Sequence, residues 1–156
     1  MVKYTAVLFP TDFSEFSNVA LVHAAYICRS CNARLIVLHV VEEVLLPDPI
    51  EYMGVYESIN EIQKHIEEEA KKNLAILKKD SRLAGIEVST DISNGKPFLE
   101  IVKYSRENKI DLIVMGTHGS SGLNHVLFGS TAEKVVRKAP CPVLTVKHPD
   151  HSFSMP

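Results

Sequence analysis

The apolar run at 33–41, ARLIVLHVV, limits the fold more than any other stretch. It is β-prone and almost uninterrupted, which suits a strand covered on both faces rather than one with a wet side. The run at 4–9, ended by Pro10, and the run at 110–115 read the same way. Residues 86–92 alternate instead, as expected of a half-buried strand toward a sheet edge, and 143–146 supplies a short last strand.

Helical spacing fills the intervals. Val19, Ala20, His23, Ala24, Ile27 and Cys28 share one face of a helix running to about Arg29. Its start is either Asp12 boxed with Glu15 or Ser14 as N-cap. A longer helix is predicted over 56–83, with Ile59, Ile62, Ile66, Ala70, Leu74 and Leu77 inward and Gly85 as its C-cap. Pro97 opens a third helix. Ser130 to Lys138 forms a fourth, with Ser130 and Glu133 spaced as a capping box. Strands separated by helices give an α/β fold: three layers, α/β/α, around a five-stranded parallel sheet. One domain is expected over 1–147, followed by a polar tail at 148–156.

Composition excludes several classes. A formal net charge of -2 lacks the basic excess of a dedicated nucleic-acid binder. No apolar run reaches the roughly 20 residues of a membrane helix, and no cleavage site follows the apolar start, so neither a membrane partner nor a signal peptide is expected. Cys28 and Cys31 make a C-x-x-C, but at the end of a helix and with no second pair. With Cys141 they read as structural thiols in a reducing cytoplasm.

The stretch after the strand at 110–115 carries the chemistry. Between Asp111 and Glu133 there is no Asp, Glu, Lys or Arg. Gly116-x-x-Gly119 is followed, after nine intervening residues, by Gly129-Ser130 at a helix start. Glycine lets backbone approach an anion, and a helix N-terminus offers unpaired N–H groups and positive potential. The phosphate-reaching lysine of a Walker A loop is missing, and the loop is too long for a dinucleotide fingerprint. Ligands of open parallel sheets bind beyond the strands' carboxyl ends, so Asp12 would face this loop if strands one and four are neighbours. Taken alone, Asp12 and Ser130 read equally well as helix caps. His118 and His125 are not spaced as a ligand pair, and His39 reads as a hydrogen-bonded core residue.

These pieces, in order, resemble the ATP-binding branch of the universal stress protein family. The resemblance is carried by Pro10-Thr11-Asp12-Phe13-Ser14, Leu38-His39-Val40, Met115-Gly116-Thr117-His118-Gly119, Gly129-Ser130-Thr131-Ala132-Glu133 and the closing 140–146 run, and it spans nearly the whole chain. It implies an adenine nucleotide alpha hydrolase-like (Rossmann-like) sheet of order 3-2-1-4-5. It also implies site roles. Asp12 would meet the ribose hydroxyls, with Pro10 and Thr11 shaping the pocket. Val40 would hold adenine through its backbone, and Met115 would cover the nucleoside. Gly116, Gly119, Gly129, Ser130 and Thr131 would face the phosphates. ATP, or AMP or ADP, is the implied ligand, with Mg²⁺ or Mn²⁺ bound through the phosphates and no protein metal site. A homodimer through the C-terminal strand is implied as well.

Three functions compete. The first is a nucleotide-binding regulatory protein of the stress response that hydrolyses ATP slowly or not at all. The second is an adenylyl-transfer or ATP-hydrolysing enzyme, for which little chain remains to build a second substrate region. The third is a nucleotide-independent dimeric interaction module.

Overall fold

A computed structural model describes residues 3–42, 56–118 and 129–149 of the 156-residue chain. Five strands, β1 (Ala6–Pro10), β2 (Arg34–Val41), β3 (Val88–Asn94), β4 (Leu112–Gly116) and β5 (Val143–Val146), form one sheet in the order β3-β2-β1-β4-β5. Every pairing is parallel. The helices are α1 (Glu15–Cys31), α2 (Tyr56–Lys78), α3 (Pro97–Glu107) and α4 (Ser130–Lys138). None of them is long and apolar enough to cross a membrane.

The continuous apolar strands are buried on both faces, as their composition demands. Val7, Phe9, Leu35, Val37 and Val114 pack with Ala20, Leu21 and Ala24 of α1 and Leu74 of α2. The alternate residues Leu8, Ile36, Leu38, Ile113 and Met115 pack with Ile101 of α3 and Val135 of α4. Phe9 and Leu8 are fully buried on opposite faces of one strand, each worth about 1.5–3 kcal/mol of transfer from water. β3 is the edge strand its alternation predicts, with no fully buried residue.

Several element ends differ from the sequence reading. Of the two caps the sequence allows for α1, Ser14 is the one used: its side chain accepts from the Ser17 N–H at 3.2 Å. Helix α1 runs two residues past Arg29, to Cys31, because Asn32 closes it in the left-handed region (φ 52°). Helix α2 stops at Lys78, since Asp80 accepts from the Arg82 N–H and opens a separate 3-10 turn, Ser81–Leu83. Gly85, at φ +77°, therefore follows that turn instead of capping α2. The expected stripe of α2 is buried at Ala70 and Leu74, with Leu77 packed beside them and Ile59 half-buried, whereas Ile62 and Ile66 are exposed. His23 also faces solvent, its place in the core taken by Leu21 and Ala25.

At the amino edge of the sheet, Asp111 ties β4's approach to β1. Its Oδ2 accepts from the Thr5 N–H (2.7 Å), the Thr5 hydroxyl (2.6 Å) and the Ala6 N–H (3.0 Å). Those bonds hold its carboxyl below the usual carboxylate range.

Candidate functional site

Strand order reverses between β1 and β4, whose pairing is Val7 with Leu112 and Leu8 with Ile113. The sheet therefore splits at that point, and a crevice of about 490 Å³ opens beyond the strand ends. All the predicted site residues that fall within the described chain line it: Pro10, Thr11 and Asp12 from β1's end, Val40 from β2, Met115 and Gly116 from β4, and Gly129, Ser130 and Thr131 at α4's start. Gly119 and His125 lie outside the described residues.

One wall is a turn held by side chains. The Ser14 N–H (3.1 Å) and hydroxyl (2.6 Å) both donate to Asp12 Oδ1, which fixes that carboxylate while its side chain stays exposed. Thr11 donates its N–H to the Leu38 carbonyl at 2.9 Å. The Thr11 hydroxyl accepts from the Phe13 N–H and shares a hydrogen bond with the Ser17 hydroxyl, both at 3.0 Å. Phe13 sits at φ 62°, a left-handed value that costs a non-glycine residue energy and requires such restraint.

The strand order gives Val40 a backbone feature that the sequence alone does not show. In a parallel strand, successive residues direct their backbone groups to opposite neighbours. The Leu38 carbonyl faces β1, where it meets Thr11, and the Val41 carbonyl faces β3, where it accepts from Gly95. Alternation turns the N–H and C=O of Val40 toward the β1 side. There β1 has already ended, since its pairing with β2 stops at Pro10 and Leu38. A donor and an acceptor side by side on an open strand edge suit a heterocycle with the matching pair.

The opposite wall is made of backbone. Gly129 is the N-cap of α4, and no side chain caps the helix. The first intrahelical bond runs from the Glu133 N–H to the Gly129 carbonyl, so the N–H groups of Ser130, Thr131 and Ala132 precede it. The expected Ser130–Glu133 capping box is absent because Ser130 is the first helical residue rather than the cap. Gly129's own N–H donates to the Thr117 carbonyl at 2.8 Å. Its place in the site is to start the helix; the donors facing the crevice come after it. Thr117 in turn donates to the Val146 carbonyl at 3.0 Å, so both ends of the glycine loop are fastened to the sheet.

Gly116 has a packing reason that the sequence does not display. A Cβ there would lie 2.9 Å from the Phe16 carbonyl oxygen and 3.1 Å from that of His118. Glycine lets the first turn of α1 rest directly on β4. His118 is buried, bonded to the Thr117 hydroxyl (3.0 Å) and 6.1 Å ring to ring from Phe16.

Residues that sequence reasoning left out also line the crevice: Ser17, His39, Glu42, Pro97, Ile101 and Thr117. Pro97 was legible in principle, because α3 starts at the same edge of the sheet as the other helices. Among the described residues, none lining the crevice is Lys or Arg, and no cluster of three His, Cys, Asp or Glu could hold a metal ion. The cysteines stand apart from it. Cys28 is buried, and burial, with Cys31 beside it, pushes its thiol up to about 11, the reverse of a reactive thiolate.

The model of the universal stress protein family matches residues 3–147. Universal stress protein MJ0531 of Methanocaldococcus jannaschii is 39% identical over 147 residues, spanning 94% of this chain and 84% of that protein. MJ0577 of the same organism is 36% identical over 156 residues, spanning 94% and 96%. A solved structure of MJ0577 superposes with a TM-score of 0.83, covering 96% of this chain and 99% of that one at 37% identity. A universal stress protein in complex with cAMP (TM-score 0.59, 24% identity, 93% and 98% covered) and that of Archaeoglobus fulgidus with dAMP (0.56, 21%, 93% and 98%) share the fold.

Proposed function

The chain belongs to the universal stress protein family, and from that premise we propose that its crevice binds an adenine nucleotide, ATP or its AMP and ADP relatives, as a regulatory ligand. The observation that carries this reading is the asymmetry of the two walls. A fixed carboxylate and an open strand edge lie on one side, and the uncapped start of α4 on the other. Asp12 is a good acceptor for vicinal hydroxyls and a poor neighbour for phosphate, so the ribose belongs beside it. The base lies along Val40, under Met115, and the phosphates lie at Ser130, Thr131 and the glycine loop. Adenine nucleotides held by two solved family members support the ligand class.

With no lysine or arginine among the described lining residues, a triphosphate brings its own Mg²⁺ or Mn²⁺. The same lack of a cationic side chain argues against fast phosphoryl transfer. The reading is therefore of a protein with slow or no hydrolysis, and we propose for it a signalling rather than metabolic role in the cytoplasm. Among the described residues β5 is an edge strand that pairs only with β4, which supports a homodimer formed through it.

Calorimetry with ATP and AMP, with and without Mg²⁺, tests the reading. Both ligands are expected to bind, and chelating the metal is expected to weaken ATP more than AMP. If neither binds, the proposal fails. Turnover well above ~1 per second would favour the enzyme instead.

A further inference from the structure

We propose that His39 is a positioning residue of this site, holding the Thr11–Asp12 turn in the conformation that aims the Asp12 carboxylate at the ribose. The inference rests on the adenine-nucleotide reading of the crevice.

His39 Nδ1 lies 2.8 Å from the Thr11 carbonyl oxygen. A carbonyl only accepts, so Nδ1 carries the hydrogen and donates it. The His39 ring also lies against Phe13, with centroids 4.5 Å apart and planes 31° from parallel. It therefore grips the turn on both sides of Asp12, by the carbonyl before it and the ring after it. This is where grip is needed: Phe13 occupies the left-handed region at φ 62°, and a non-glycine residue leaves that region when released.

The other bonds described for the turn arise within its own segment or from backbone. Thr11 and Ser17 share their hydroxyls, Ser14 holds Asp12, and Leu38 accepts the Thr11 N–H. Among the described residues, His39 is the side chain from another strand that enters this network. Leu38-His39-Val40 then acts as one unit. Leu38 and His39 fasten Thr11, and Val40 presents its backbone to the crevice, so the base-facing strand and the ribose-facing carboxylate keep a constant spacing.

Asparagine can place its Nδ2–H near the position of the histidine Nδ1–H, whereas glutamine of similar length cannot donate from there. The test therefore compares His39→Gln with His39→Asn. Affinities are measured for ATP and for 2′,3′-dideoxy-ATP, which lacks both hydroxyls, alone and on an Asp12→Asn background. Amide exchange at Phe13 and Ser14 is followed without ligand.

The expected results are a loss of at least about tenfold in ATP affinity for His39→Gln, with His39→Asn within about threefold of wild type. Dideoxy-ATP affinity is unchanged, and the His39→Gln loss vanishes on the Asp12→Asn background. Exchange at Phe13 and Ser14 is faster in His39→Gln and near wild type in His39→Asn. The proposal is overturned by equal losses for ATP and dideoxy-ATP, by losses that multiply with Asp12→Asn, or by unchanged amide exchange. If wild type binds neither nucleotide, the adenine-nucleotide reading itself fails, and the exchange measurement still decides whether His39 orders the turn.

Discussion

Helices α1 and α4 begin at the same edge of one sheet, on opposite sides of the same crevice, and they are finished in opposite ways. The start of α1 is closed: Ser14 caps it, and Ser17, Thr11 and Asp12 complete the hydrogen bonding around it. The start of α4 is left to backbone, with a glycine cap and no side-chain bond. A side-chain cap contributes roughly 1 kcal/mol over an uncapping residue and only a few tenths over glycine. Leaving α4 to Gly129 thus costs the fold little, and the N–H groups of Ser130, Thr131 and Ala132, which line the crevice, precede the helix's first internal bond. The lesson is that a helix start can be a fold element or a ligand element, and the cap residue decides which.

Four substitutions probe that contrast, the largest effect first. Gly116→Val strikes α1's closed end: its side chain meets the Phe16 carbonyl, so a loss of about 3 kcal/mol is expected from overpacking. Thermal unfolding should drop by roughly 6–12 °C for a chain of this size. A fold of unchanged melting temperature would refute the packing role of that glycine. Gly129→Asp strikes the open end. It supplies α4 with a capping carboxylate, so the melting temperature should hold or rise slightly, while ATP affinity falls by about 100-fold, or ~2.7 kcal/mol. Binding that survives would place the phosphates elsewhere.

Ser14→Ala removes the α1 cap and one holder of Asp12, for a loss of about 1 kcal/mol on chemical denaturation. It should also weaken ATP, which no substitution that merely uncaps a helix would do. Asp111→Asn serves as the control at the far edge of the sheet. Its wild-type carboxyl is held low by Thr5 and Ala6, so the stability it contributes is present above its unfolded value and is lost as pH falls through its lower folded value. The substitution should cost up to about 1 kcal/mol near neutral pH. It should shrink the difference from wild type in acid and leave ATP affinity alone.

Much of this was legible in the chain. Continuous apolar runs forced a parallel sheet, and Ser130–Lys138 and Val143–Val146 matched the predicted segments because strong helix and strand signals ended at Gly129 and Pro142. The universal stress protein motifs named the residues that gather at the crevice. What stayed hidden was relational. Which of two neighbours caps a helix depends on backbone angles, so the sequence leaves Asp12 and Ser14 as rivals where Ser14 is the cap, and offers Ser130 where Gly129 fills the position. Val40's open edge depends on where another strand ends. Gly116's close contact depends on the first turn of α1, far away in the chain. His39 is hydrogen-bonded, as its place on a buried strand predicts, but a strand's parity does not reveal that the partner is Thr11, just past the end of the neighbouring strand.

The fastening of Thr117 between Val146 and Gly129 also bears on how such a protein can change over time. Because the base of the loop is tied to the sheet at both ends, the chain between those ends closes on a fixed span. Lengthening a loop on a fixed span adds only about 0.6 kcal/mol per doubling. Insertions between those two fixed ends are therefore expected to cost the sheet little. On the proposed nucleotide reading, ligand preference can then change between those ends while the architecture around them is inherited intact.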